Sequence, residues 1–115
     1  MKRGDIVPVN LPQSADGAGH EQMGTRPALV VQNDASDGSL SVIMIMPFTS
    51  NLKAQRFSHT VLIEPSKENG LTVPSVLLVF QLRAIDKKRV AKKIGRLEDK
   101  LMGKVNQEIK DLLGL

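Results

Sequence analysis

The sequence predicts a mainly β fold with a helical C-terminal part. It reads as an α+β chain in which a small twisted sheet or partly closed barrel is covered by an amphipathic helix. Three observations carry this. Up to residue 85, short apolar runs rich in Val, Ile and Leu alternate with segments of Gly, Pro, Asn, Asp and Ser, the punctuation of strands and turns. At Asp86 the period changes. From Leu97 onward, Leu97, Leu101, Val105, Ile109 and Leu112 or Leu113 recur every three or four residues. That apolar stripe needs a partner surface, which a sheet supplies.

The first strand is expected over 4–11, GDIVPVNL, with Pro8 marking an edge or a bulge because it cannot donate to a ladder. A long polar loop follows to Gly24, and a loop of that length in a small domain usually carries function or disorder. The second strand covers 26–33, with Pro27 acceptable at its start. The next segment, NDASDGS, is turn chemistry containing an Asp-Gly hairpin signal. The third strand, LSVIMIMPF over 40–48, is apolar on both faces, which predicts a central position. A second polar loop, TSNLKAQRFS, carries Lys53 and Arg56 and no acid. Strands are expected over 59–64 and 75–80, and 81–85 either continues the latter or forms a short sixth strand after a bend. Asp86 is placed to cap a helical segment KKRVAKKIGRL with Gly95 near its end, and a second helix should run from Glu98 to Leu113.

A chain of 115 residues suits one domain, 1–115. It has no Cys, which excludes disulfides and thiolate chemistry. No apolar run approaches the roughly 20 residues that span a bilayer, and the N-terminus lacks the apolar core of a signal peptide. The expected compartment is the cytoplasm. Residues 1–85 hold seven Lys/Arg and seven Asp/Glu, while 86–115 hold nine and five, so the net +4 comes entirely from the C-terminal part. This marks the chain only weakly as a polyanion binder. With no Trp or Tyr and only Phe48, Phe57 and Phe80, a platform for stacking many bases is not expected.

The imidazoles are His20 and His59 alone, without Cys or HExxH, so neither a metal site nor another cofactor is expected. Gly17, Gly19 and Gly24 are not followed by GK[ST], and no GxSxG occurs, which removes a phosphate-binding P-loop and the usual serine-hydrolase elbow. What remains suits phosphate chemistry. Arg26 offers a planar fork of donors that matches a phosphate, and Thr49 offers a hydroxyl. Arg26 starts the second strand and Thr49 ends the third. If the two strands form a hairpin, these residues converge at one edge of the sheet although 23 positions apart. Taken singly, each has a plainer reading as a surface arginine or a strand-end residue. Phe57 and Phe80 likewise read most simply as core.

The segment GHEQMGTRPALVVQND resembles the signature GSEQGGxRPxLVxQND of MazF/PemK-like toxins, the mRNA interferases of toxin–antitoxin systems. RGDIVPVNL resembles the family's first strand, IMPFTSN the end of its third, and LVFQLRAIDKKRV its fifth-strand motif, in order along nearly the whole chain. The resemblance implies an SH3-like barrel with C-terminal helical elements, acting as a homodimer. It implies metal-independent endonucleolytic cleavage of single-stranded RNA at short sequence motifs. It places Arg26 and Thr49 at the catalytic arginine and threonine, and Glu21 at a loop acid needed by some members. His20 beside it is a further candidate for proton transfer, with His59 behind. Ser50, Asn51, Lys53, Arg56, Phe57, Ser58, His59, Ser75 and Gln81 are the candidate RNA contacts. The implied protein partner is a cognate antitoxin with an acidic, flexible tail. Departures from the pattern are Phe80 where many members carry an acid before the Gln, Met23 for a common Gly, His20 for a common Ser, and Pro8 in the first strand. The competing class is a non-catalytic SH3-like barrel, either a CcdB-like gyrase poison or an antitoxin-bound corepressor. The absence of Trp and the retained EQ and RP residues argue against the gyrase poison.

Overall fold

The computed structural model describes residues 1–11 and 24–115. Among the described residues there are seven strands and one α-helix: β1 Asp5–Leu11, β2 Gly24–Val30, β3 Val42–Thr49, β4 Thr60–Ile63, β5 Ser75–Leu78, β6 Arg83–Asp86, β7 Gly95–Arg96 and α1 Asp99–Leu113. The order across the curled sheet is β4-β5-β3-β2-β1-β7, and β6 pairs with β3. All of these pairings are antiparallel.

The central role expected of the third strand is what the sheet shows. β3 takes β2 on one side, with Ala28 opposite Pro47 and Val30 opposite Ile45. On the other side it takes β6 along its first half and β5 at its end. Ile43 and Ile45 are buried in one apolar cluster with Val7, Val9, Leu11, Ala28, Val30 and Ile85. Met46 and Phe48 are buried in a second cluster with Ile6, Leu29, Leu77 and Val79, which α1 covers. Successive residues alternate between these faces because the side-chain period of a strand is two. The connection from β2 to β3 is a 3-10 turn, Asp34–Ser39, rather than a tight Asp-Gly hairpin. The chain from 75 to 86 is interrupted by a 3-10 turn at Val79–Gln81, so β6 is a separate strand.

Helix α1 follows the stripe. Val105 is fully buried, and Leu101, Met102, Ile109 and Leu112 pack against the same cluster. Gly114 ends the helix in the left-handed conformation, where the absence of a Cβ removes the steric penalty. Arg3 ties the N-terminus to both layers by donating to the Val31 carbonyl and to Asn106 of α1.

Two expectations need correction. The segment after Asp86 is not a helix. Asp86 does cap a turn, accepting a bond from the Lys88 amide at 2.9 Å, but only Lys87–Arg89 adopts a 3-10 conformation. The chain then runs beside β1. Ala91 and Ile94 donate to the Pro8 and Ile6 carbonyls, Leu97 donates to Gly4, and β7 pairs with Asp5 and Ile6. Lys, Arg and Ala are good helix formers, but buried β1 backbone groups require partners, and that tertiary demand overrides propensity.

Pro8 is also not on a free edge. It lies opposite Pro27 on β2 and has the 90–94 segment on its other side. There the ladder is irregular. Val9 pairs with Val90 but Ile6 pairs with Gly95, so three steps on β1 face five on its neighbour. The irregularity belongs to the partner segment, opposite the strand in which Pro8 lacks a donor.

The sheet curls into a half-barrel, with the 65–74 connection after β4 reaching β7. Arg96 donates to the Glu68 carbonyl at 2.8 Å. A Cβ at Gly70 would lie 2.1 Å from the Ile94 oxygen, and one at Gly95 would lie 2.3 Å from the Asn69 carbonyl. Gly95 therefore serves backbone contact, not helix termination. Buried Asn69 holds the connection by bonding Ser66, Leu71 and Glu64 backbone groups. Among the described residues, no helix is long and apolar enough to cross a membrane.

Candidate functional site

Arg26 and Thr49 meet at one cavity. The β2–β3 ladder ends at Ala28–Pro47, and each residue lies two positions beyond that pair on its own strand. The cavity, about 340 Å³, is lined by both, with Pro8, Thr25, Pro27, Phe48, Ser50, Ser75, Ile94 and Gly70–Val73 completing the wall. Thr49 is nearly buried at the end of β3, where its pairing with Val76 of β5 fixes the backbone. Its Oγ1 accepts from the Asn51 amide at 3.2 Å, and the hydroxyl hydrogen remains able to donate. Arg26 is half-buried opposite Val9 of β1. A cation and a hydroxyl are thus held on stiff strand ends at a concave surface, which suits binding of an oxyanion.

Thr49 also lines a second cavity, of about 540 Å³, with Asn51, Lys53, Ala54, Arg56, Phe57, Leu78, Phe80 and Gln81. Asn51 caps the 3-10 turn Leu52–Arg56 by accepting from the Lys53 amide. The turn presents both of its cations to solvent, and none of the described residues lining this cavity is acidic.

The sequence candidates therefore divide between two hollows that share Thr49. Ser50 and Ser75 join Arg26 in the first; Asn51, Lys53, Arg56, Phe57 and Gln81 join the second. Ser75 is buried and donates to the Val73 carbonyl, which shapes the wall. Ser58 and His59 line neither. Ser58 is exposed in the bend before β4. His59 has φ of 60° and sets its Nδ1 3.4 Å from the Glu108 carboxylate of α1, without hydrogen-bond geometry. That position sets it apart from the cavity that holds Arg26. Glu21 and His20 lie outside the described residues. Among the described residues, no three His, Cys, Asp or Glu side chains converge as metal ligands.

Two contributions escaped the sequence. The wall of the first cavity formed by Gly70–Val73 and Ile94 comes from ordinary turn residues and carries no chemical signal. The reading of Phe57 and Phe80 as core residues is also corrected. They are 47% and 37% exposed, with ring centroids 5.7 Å apart and an interplanar angle of 64°. Each sits at a 3-10 turn, outside the buried apolar clusters.

Against known families, residues 2–113 match the model described as PemK-like, MazF-like toxin of type II toxin-antitoxin system. The chain belongs to that family. It is 34% identical over its whole length to Endoribonuclease EndoA of Bacillus subtilis, covering 96% of that protein. It is 35% identical to Endoribonuclease MazF of Staphylococcus saprophyticus, covering all of this chain and 92% of that one. The crystal structure of MazF from Deinococcus radiodurans superposes with a TM-score of 0.80 at 29% identity, covering 100% of this chain and 97% of that one. The same protein in a MazE–MazF crystal structure gives 0.76, covering 100% and 96%. The PemK/MazF family thus accounts for the sheet, its curl and the single C-terminal helix.

Proposed function

We propose that this chain is a metal-independent, sequence-specific endoribonuclease toxin that cuts single-stranded mRNA and is neutralised by a cognate antitoxin. The observation that carries the reading is the convergence of Arg26 and Thr49 on one cavity, in a chain whose full-length relatives bear endoribonuclease names. The 2′-hydroxyl attacks the adjacent phosphorus in line and the bond to the 5′-oxygen breaks. A proton leaves the nucleophile and one reaches the departing oxygen, giving a 2′,3′-cyclic phosphate and a 5′-hydroxyl. Arg26 and Thr49 hold the non-bridging oxygens and stabilise the charge that builds there. Arginine is a poor proton shuttle because its guanidinium holds its proton strongly. Proton transfer is therefore assigned to Glu21 or His20.

Lys53 and Arg56 supply charge along the path of the strand, and Asn51 and Gln81 supply polar contacts in the second cavity. An antitoxin with an acidic, flexible tail would compete for the same cations. The acting unit in this reading is a cytoplasmic homodimer of the single 1–115 domain. The non-catalytic barrels, gyrase poison or corepressor, are disfavoured by the endoribonuclease names of relatives sharing a third of the sequence. The test is incubation with a long single-stranded RNA in EDTA, followed by mapping of the ends. Cyclic phosphate and 5′-hydroxyl ends are expected. Cleavage of DNA or of 2′-O-methyl RNA at the same site would sink the mechanism, and no cleavage of RNA would sink the function.

A further inference from the structure

We propose that Phe57 and Phe80, with Arg56 above Phe57, form a stacking platform for one nucleobase of a single-stranded RNA, next to the phosphate held at Thr49. The inference rests on the functional reading above and adds to it a base-binding subsite. The chain has three aromatic residues, and Phe48 is fully buried. The other two are brought to the surface from turns 23 positions apart and set edge to face. Leaving a large apolar side chain in water forfeits the free energy of its burial, so two rings exposed together at a cavity rim point to a binding surface.

The rings are presented on pinned backbone. The Phe57 amide donates to Ala54, its carbonyl accepts from the Thr60 hydroxyl at 3.0 Å, and the Phe80 amide donates to the His59 carbonyl at 3.3 Å. A rigid aromatic surface binds a planar partner with little ordering cost. The Arg56 guanidinium carbon lies 4.9 Å from the Phe57 ring centroid, so the platform carries a cation as well as a π-face.

Aromatic faces beside cations are the means by which proteins hold single strands, the rings stacking bases and the cations following phosphates. Lys53 shares the cavity with Arg56, and none of its described lining residues is acidic. Thr49 fixes the location along the strand, because it lines this cavity and the one holding Arg26. A strand whose phosphate rests at Thr49 in the first cavity sends its neighbouring nucleotide into the second. An acidic peptide would use the cations but gives no reason for two exposed rings.

The experiment measures binding of short 2′-O-methyl oligonucleotides, which are not cut, each with a single abasic site moved stepwise along the strand. In the wild type, one abasic position should weaken binding by about 5- to 150-fold, the usual range for losing one stacked base. Phe57→Ala and Phe80→Ala should weaken binding of the intact strand similarly, and that abasic position should then cost little more. Phe80→Trp should restore the wild-type pattern, which guards against a variant that fails to fold. The proposal is overturned if no abasic position matters more to the wild type than to Phe80→Ala. It is equally overturned if Phe80→Ala loses affinity for an acidic peptide while binding oligonucleotides normally, which would make the rings a protein-docking surface. Cleavage of unmodified RNA separates the two readings. Intact cleavage without an abasic signature rejects the platform alone, whereas the signature without cleavage rejects the nuclease and keeps the platform.

Discussion

The two cavities that meet at Thr49 are built in opposite ways. The first is walled by ladder ends, with Arg26 and Thr49 on β2 and β3 and the glycine contact between the 65–74 connection and β7 behind them. The second stands on short turns that lift cations and two phenyl rings into solvent. Strand ends locked in a sheet hold an oxyanion in one geometry, which transition-state stabilisation demands. Turns tolerate exchange of side chains without loss of the fold, which recognition exploits. The first cavity should therefore govern rate and the second affinity and choice of sequence.

The largest effect should come from Arg26→Ala, which is expected to slow cutting at saturating RNA by about 10²- to 10³-fold, as for loss of one preorganised donor to a developing oxyanion. Its thermal unfolding should stay near that of the wild type. A variant that cuts at the normal rate would remove the arginine from the chemistry. Gly95→Ala adds a methyl group against the Asn69 carbonyl. It should cost about 2–4 kcal/mol in urea unfolding, the upper range of single substitutions. Once corrected for the folded fraction, its cleavage rate should fall more than its affinity for an uncleavable strand. Equal losses of both would show that the cavities are not mechanically separate. The smallest effect is assigned to Lys53→Ala. It should lower the slope of log affinity against log salt by about 0.7, one phosphate contact on a single strand, with an unchanged rate at saturation. An unchanged slope would take the residue off the strand's path.

How much of this was legible depended on whether local pattern and tertiary demand agreed. The α1 stripe from Leu101 to Leu112 is plain because amphipathic period and final packing coincide. Arg26 and Thr49 could be brought together because antiparallel pairing converts sequence order into position. The stretch from Lys87 to Arg96 departs from the expected helix because its composition favours a helix while the open backbone of β1 claims it. The platform was invisible for a different reason. Phe57 and Phe80 belong to separate turns, and no periodicity states that two turns expose their rings on the same side.

The pairing of the first strand with the last carries a consequence for synthesis. Asp5 and Ile6 find their β7 partners only at Arg96 and Gly95, the Gly4 carbonyl waits for Leu97, and the first cavity takes Pro8 from one end of the chain and Ile94 from the other. Chains emerge from the ribosome N-terminus first. A nascent copy therefore lacks both the β1–β7 pairing and the complete first cavity until about five-sixths of these 115 residues are available to fold. An endoribonuclease built this way has no finished cavity with which to attack the message while most of its own chain is still being made.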